Sequence, residues 1–241
     1  MRNPQEMYDI FHSQRKEYNT RGLYEMVEYL NYYFDTSKAT MVELGSYAGQ
    51  STCIFSQYFE KVIAVDPWEN HEEYPHDMGL VEEVFDKFAG CQNNIEKRKG
   101  YSVNEAKSFE DNSIDFVYVD ARHEEEYVIE DIEAWLPKIK KHGFIGGHDF
   151  YLYPITEPWV GKAVLSKYDK KDITIFTDCS WLVKCNTIDK DKFVYTSPSQ
   201  LDKENVYNGK YPPMTFYYGN WSSDDRKKFR EFSKSRGYDN L

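Results

Sequence analysis

The chain has 241 residues, with 30 Lys+Arg against 41 Asp+Glu and a formal net charge of −11. That length suits one large domain with extensions, since single cores stop growing near roughly 250–300 residues. The acidic balance repels phosphate backbones and anionic lipid surfaces, so neither nucleic acid nor a membrane is expected as a partner. No run approaches the roughly 20 apolar residues of a membrane span. The first 18 residues, MRNPQEMYDIFHSQRKEY, hold no apolar h-region, which argues against a signal peptide. Cys53, Cys91, Cys179 and Cys185 form no CxxC pair and show no zinc spacing. They read as reduced thiols, and the expected location is cytoplasmic.

In chain order, residues 4–34 read as two helices, with Leu23, Met26, Val27, Leu30 and Phe34 at helical spacing. Thr40–Leu44 is a strand, Gly49–Phe59 a helix, and Lys61–Asp66 a second strand. Met78–Asn94 reads as helix and Ile95–Lys99 as a weak third strand. Ile114–Asp120 is the fourth strand, followed by a helix from about Glu124 to Leu136 that Pro137 and Gly143 close. A fifth strand starts at Phe144, and Val160–Tyr168 is a helix. Ile173–Thr177 and Trp181–Cys185 are two strands joined by a tight turn at Asp178–Ser180.

This alternation predicts an α/β fold: a doubly wound, seven-stranded, Rossmann-like sheet with helices on both faces. A parallel crossover needs a dozen or more residues, so one strand of the last pair should run antiparallel. The expected divisions are an N-terminal helical segment at 1–36, the α/β domain at 37–186, and an extension at 187–241. That extension carries Phe193, Tyr195, Tyr207, Phe216, Tyr217, Tyr218 and Trp221. Such aromatic content suits packing on the domain or in a homodimer better than disorder.

The first strand runs into Glu43-Leu44-Gly45-Ser46-Tyr47-Ala48-Gly49-Gln50-Ser51, the pattern E-x-G-x-x-x-G-x-S opening a helix. Glycines there let the backbone turn tightly and approach a ligand closely. The loop lacks the middle glycine of the dinucleotide pattern G-x-G-x-x-G. An acid beside the loop fits a cationic ligand better than a pyrophosphate. Asp66 ends strand two, 21 residues after Gly45, where an acid can accept both ribose hydroxyls.

Together these features resemble class I S-adenosylmethionine-dependent methyltransferases. The resemblance implies that Glu43 and Gly45 border the methionine part of that cofactor, with Tyr47, Gly49 and Ser51 completing the loop. It implies that Asp66 takes the ribose, that Tyr101 and Ser102 sit by the adenine and that Asp120, at the end of strand four, also borders the cofactor. Pro67 is a rigid turn after the ribose strand, and Trp68 is placed to stack near the adenine. The stretch IDFVYVDARHEEEYVIEDIEAWLPKIKKHGFIGGHDF further resembles the macrocin-type small-molecule O-methyltransferases, methyltransferase family 24. Its D-x-x-H segment is Asp120–His123 and its G-G-H-D segment is Gly146–Asp149.

By that resemblance the acceptor is a small hydroxylated molecule, a sugar or a phenolic. Its hydroxyl needs a base or a metal to shed its proton. Asp120 and Asp149, at adjacent strand ends, suit a shared Mg²⁺, and His148 as a third ligand would make Mn²⁺ suitable. His123 is the candidate base, with Asp120 beside it in the catalytic set. Simpler readings stay open: Asp120 as a helix cap, His123 as a loop residue bonded to a carbonyl, and His148-Asp149 as a structural pair. The cluster His71–Asp77 reads as a solvated loop. Two other functions compete, a non-catalytic cofactor-binding scaffold and a nicotinamide-dependent oxidoreductase.

Overall fold

The computed structural model describes residues 18–71, 76–150, 159–176 and 178–185. The first predicted helix, the Tyr151–Trp159 loop up to residue 158, residues 72–75 and the aromatic C-terminal extension lie outside the described residues. The elements are α1 (Tyr18–Tyr33), β1 (Thr40–Leu44), α2 (Gln50–Phe55), β2 (Lys61–Asp66) and α3 (Met78–Phe88). They continue with β3 (Ile95–Lys99), α4 (Ser102–Glu105), β4 (Ile114–Val119), α5 (Glu125–Trp135) and β5 (Ile139–Gly147). Last come α6 (Trp159–Lys167), β6 (Ile173–Ile175) and β7 (Trp181–Lys184).

One seven-stranded sheet runs in the order β3-β2-β1-β4-β5-β7-β6. Five neighbouring strands, β3 through β5, are parallel; β7 pairs antiparallel with both β5 and β6. The expected single antiparallel strand near the C-terminal end is therefore β7. The short connection after β6 forces this, because so few residues cannot carry a parallel crossover.

Both faces of the sheet are covered. Val42, Leu44, Ile63, Val65, Val117 and Val119 face Val128, Ile132, Trp135 and Val164 of α5 and α6. Met41, Val62, Phe116 and Tyr118 face Leu23, Met26, Leu30 and Phe55 of α1 and α2. The period of two along each strand thus sends alternate residues into opposite cores, so the strands read as nearly continuous apolar runs. Trp135, Trp181 and Tyr118 are among the largest fully buried side chains. Each such burial contributes about 1.5–3 kcal/mol. The charged strand β3 takes one edge, where Lys97 pairs with Glu82 and Asp86. Those charges protect the edge from pairing with another chain.

Several boundaries differ from the sequence reading. α2 ends at Phe55 and α3 at Phe88, each followed by turns rather than further helix. β5 begins at Ile139, earlier than Phe144, because Ile139 pairs with Ile114 across an irregularity before the register resumes at Phe144. No helix among the described residues is long and apolar enough to cross a membrane.

Candidate active site

The loops after β1, β2, β4 and β5 gather at the carboxyl ends of the parallel strands, where ligands of doubly wound sheets sit. The backbone turns at Gly45 with φ 84° and at Gly49 with φ 81°. A Cβ on Gly45 would lie 2.0 Å from the carbonyl oxygen of Asp120, so this glycine lets the loop after β1 touch the loop after β4. Gly49 admits α2 against Ala89 and Phe85 in the same way.

Asp66 ties this loop to the end of β2. Its Oδ2 accepts the N–H of Tyr47 at 2.9 Å, and its Oδ1 accepts the N–H of Trp68 at 2.7 Å. Burial raises its pKa, partly offset by those two bonds. Each carboxylate oxygen keeps a second lone pair for a ligand hydroxyl. Glu43 is fully buried, on the face of β1 toward α2, and Thr52 Oγ1 donates to its Oε2. Among the described residues its Oε1 has no well-formed hydrogen bond, and the hydroxyl of buried Ser46 lies near the carboxylate. Burial pushes the Glu43 carboxyl up to about 7, with the Ser51 and Thr52 hydroxyls offsetting part of that rise. A buried acid with its pKa raised to about 7 beside the loop fits a polar, cationic ligand.

Trp68 departs from its expected role. It is 3% exposed, its ring packs on Phe85 with centroids 4.9 Å apart, and Lys97 Nζ lies 4.8 Å over its face. Its Nε1 donates to the carbonyl of Tyr47 at 2.8 Å. The indole is a brace for the loop and presents no face to an adenine. Its left-handed φ of 45° turns the side chain inward after Pro67, which itself is partly buried.

Tyr101 is 55% exposed at the rim, and its hydroxyl donates to Glu69 Oε2 at 2.6 Å. Ser102 is partly buried and is held from behind: its Oγ accepts Trp135 Nε1 at 2.9 Å. Buried Asp131 on α5 also bonds Ser102, and burial pushes that acid up to about 7. Asp131 and Trp135 were not singled out in the sequence, where they read as one helix face.

On the other side of the Gly45 contact stand Asp120, His123 and Asp149. One ligand atom from each lies within 4.8 Å of the other two. His123 Nε2 is 3.6 Å from Asp120 Oδ1 and 3.2 Å from Asp149 Oδ2. Asp120 is set by its own N–H, which donates to Leu44 O at 2.8 Å. It does not cap α5, whose N-cap position is Glu124. Burial pushes the His123 ring toward neutrality, but the two carboxylates outweigh it and hold its pKa up at about 10. At neutral pH the ring is therefore an imidazolium, so its use as a base requires another cation to take over the carboxylates. The two carboxylates suit a divalent cation, with the imidazole beside them.

The sequence placed His148 with Asp120 and Asp149; the structure brings His123 between those two carboxylates. His148 lies behind Asp149, with Nδ1 3.0 Å from Asp149 Oδ1 and Nε2 3.9 Å from Asp178 Oδ2. The reason is backbone geometry, since Asp149 adopts a left-handed φ of 54° that turns its carboxylate to His123. Burial would favour a neutral His148, and the surrounding carboxylates of Asp149, Asp120 and Asp178 instead raise it to about 9. Asp149 is held well below the ordinary carboxylate range: burial opposes this, and the His148 and His123 charges prevail. Asp178, fully buried in the turn before β7, had no signal in the sequence beyond that turn.

Residues 42–150 match the model of a family described as a methyltransferase domain. No curated protein matches the chain in sequence. Solved structures similar to it include the YcgJ protein of Bacillus subtilis, at 21% identity and a TM-score of 0.40. That match covers 53% of this chain and 49% of the other, so the chain spans about half that relative's length. An rRNA methylase of Streptococcus thermophilus is 16% identical over 68% of this chain and 94% of its own, with a TM-score of 0.46. An S-adenosylmethionine-dependent methyltransferase of Aquifex aeolicus is 16% identical over 76% and 98%, also at 0.46. The family match takes in β1 through β5 and the loops that carry Glu43, Asp66, Asp120, His123 and Asp149.

Proposed function

We propose that this protein transfers a methyl group from S-adenosylmethionine to the hydroxyl oxygen of a small acceptor, a sugar or a phenolic. One observation carries the reading: Asp120, His123 and Asp149 converge within 4.8 Å beside the Gly45 turn. The cofactor supplies an activated methyl group, and a divalent ion, Mg²⁺ or Mn²⁺, supplies charge that lowers the pKa of the acceptor hydroxyl. Asp66 holds the ribose hydroxyls, and Glu43 places negative charge behind the loop that receives the methionine end. Tyr101 and Ser102 border the adenine. Asp120 and Asp149 would hold the ion, and the role of His123 would be to take the hydroxyl proton. The acceptor oxygen gains the methyl carbon as the carbon–sulfur bond breaks, so the proton on His123 balances the transfer.

A second reading has one observation in its favour. With its pKa held near 10, His123 closes an ion-pair cluster that could serve a cofactor-binding scaffold without catalysis. The nicotinamide alternative finds no support in the loop, whose pattern lacks the middle glycine.

The test is formation of S-adenosylhomocysteine from S-adenosylmethionine over a panel of sugars and phenolics, with Mg²⁺, with Mn²⁺ and with EDTA. Turnover on a hydroxylated acceptor supports the proposal. Tight cofactor binding with no turnover on any acceptor class supports the scaffold.

A further inference from the structure

We propose that Asp178 is a positioning residue of this site, fixing the Asp149 carboxylate through the ring of His148. The proposal rests on the reading above, in which Asp149 helps to hold a divalent cation.

Asp178 lies in the turn between β6 and β7 and is 0% exposed. Its Oδ1 accepts the N–H of Ser180 at 3.0 Å. Its Oδ2 has no hydrogen-bond partner among the described residues, and neither has the facing Nε2 of His148 at 3.9 Å. The opposite ring nitrogen is 3.0 Å from Asp149 Oδ1. One imidazole thus spans two carboxylates, one in the site and one behind it. Burying a carboxylate is unfavourable without a charged partner. An asparagine would make the same turn bond to Ser180. The turn itself therefore does not explain an acid here, whereas the His148 ring does. An acid behind an imidazole sets the ring's orientation.

The surroundings hold Asp178 in place. A Cβ on Gly22 of α1 would lie 1.8 Å from Asp178 Oδ1, so the helix leaves room at that position for hydrogen alone. The N–H of Phe150 donates to Cys179 O at 3.1 Å, clamping the turn to the segment that carries Asp149. Cys179 and Asp149 both sit in the left-handed region, at φ 68° and 54°. Two strained backbones are therefore joined by one bond, with the Asp178–His148–Asp149 line alongside it.

The experiment is a double-mutant cycle on the full chain with Mn²⁺ alone as the probe, read by electron paramagnetic resonance. Asp178→Asn is expected to weaken Mn²⁺ binding about 10–100-fold, the usual cost of losing a group that orients a ligand. Its affinity for S-adenosylhomocysteine should be unchanged. If Asp178 acts through His148, the Asp178→Asn/His148→Gln double variant binds Mn²⁺ as His148→Gln does. In the metal-free protein, Asp178→Asn should also shift the Asp149 carboxyl ¹³C signal, and His148→Gln should abolish that response. Gly22→Ala, which crowds Asp178 from the helix side, should reproduce both effects and serves if Asp178→Asn does not fold. Additive effects in the cycle, or an Asp149 signal unmoved in a folded variant, would overturn the proposal. Failure of the wild-type protein to bind Mn²⁺ would count against the cation site, and the metal-free carboxyl signal would then decide the role of Asp178.

Discussion

Gly45 and Asp120 meet through backbone alone: a single added carbon on the glycine would stand 2.0 Å from the aspartate's carbonyl oxygen. This contact joins the candidate cofactor loop to the strand end that carries the candidate chemistry. Gly45→Ala should disturb both halves. The left-handed φ of 84° alone costs a non-glycine residue about 1–3 kcal/mol, and the clash adds to that. We expect a loss of at least about 2 kcal/mol in denaturant unfolding, together with loss of S-adenosylhomocysteine binding. A variant with wild-type stability would show that the two loops can part freely.

Asp66→Ala should weaken S-adenosylhomocysteine binding while the sheet stays folded. The carboxylate anchors the N–H groups of Tyr47 and Trp68 and has lone pairs left for the ribose. Losing charge-assisted hydrogen bonds of this kind costs about 1.5–3 kcal/mol, or roughly 10- to 100-fold in affinity. Calorimetry on the purified variant checks this, and unchanged affinity would remove Asp66 from the cofactor site.

Glu43 should make both stability and cofactor affinity depend on pH. Its pKa is raised to about 7 in the fold by burial. Stability is therefore full below the ordinary carboxylate range and is lost as pH rises through about 7, by about 3 kcal/mol in the limit. Glu43→Gln should abolish that loss, which falls between the ordinary carboxylate range and about pH 7, in denaturant titrations. A cationic cofactor favours the ionised form, so its binding should release a proton and tighten as pH rises from 6 to 8. Calorimetry in buffers of different ionisation enthalpy measures that release, and Glu43→Gln should remove it.

The acceptor side separates proton transfer from cation holding. With a turned-over acceptor in hand, EDTA should stop methyl transfer and Mg²⁺ or Mn²⁺ should restore it. Asp149→Ala should lower kcat far more than cofactor affinity. His123→Ala should lower kcat by roughly 10²–10⁴-fold, the range for general-base catalysis. Full activity in EDTA with His123→Ala still inactive would leave a metal-free base mechanism.

Much of this protein was written in local sequence. Thr40–Leu44, Lys61–Asp66 and Ile114–Val119 are short apolar runs between helical stretches, and that alternation by itself predicts a buried, mostly parallel sheet. The run from Glu43 to Ser51 and the acid at 66 belong to one strand–helix–strand unit, so their spacing pointed to a candidate cofactor loop. Likewise, the few residues between β6 and β7 required the antiparallel strand.

Side-chain direction at the loops was decided by the tertiary structure. Adjacent His148 and Asp149 look equivalent in sequence, yet the left-handed φ at Asp149 turns its carboxylate to His123 and leaves His148 behind it. Trp68, next to the ribose acid, turns inward to Phe85 through its own positive φ. Asp178 reaches the site because β7 runs antiparallel against β5, which brings the turn before β7 to the carboxyl end of β5. Asp178 then meets Gly22 and His148, residues far from it along the chain, and contacts of that range follow from sheet order and helix packing, which the local G-G-H-D and turn patterns do not encode.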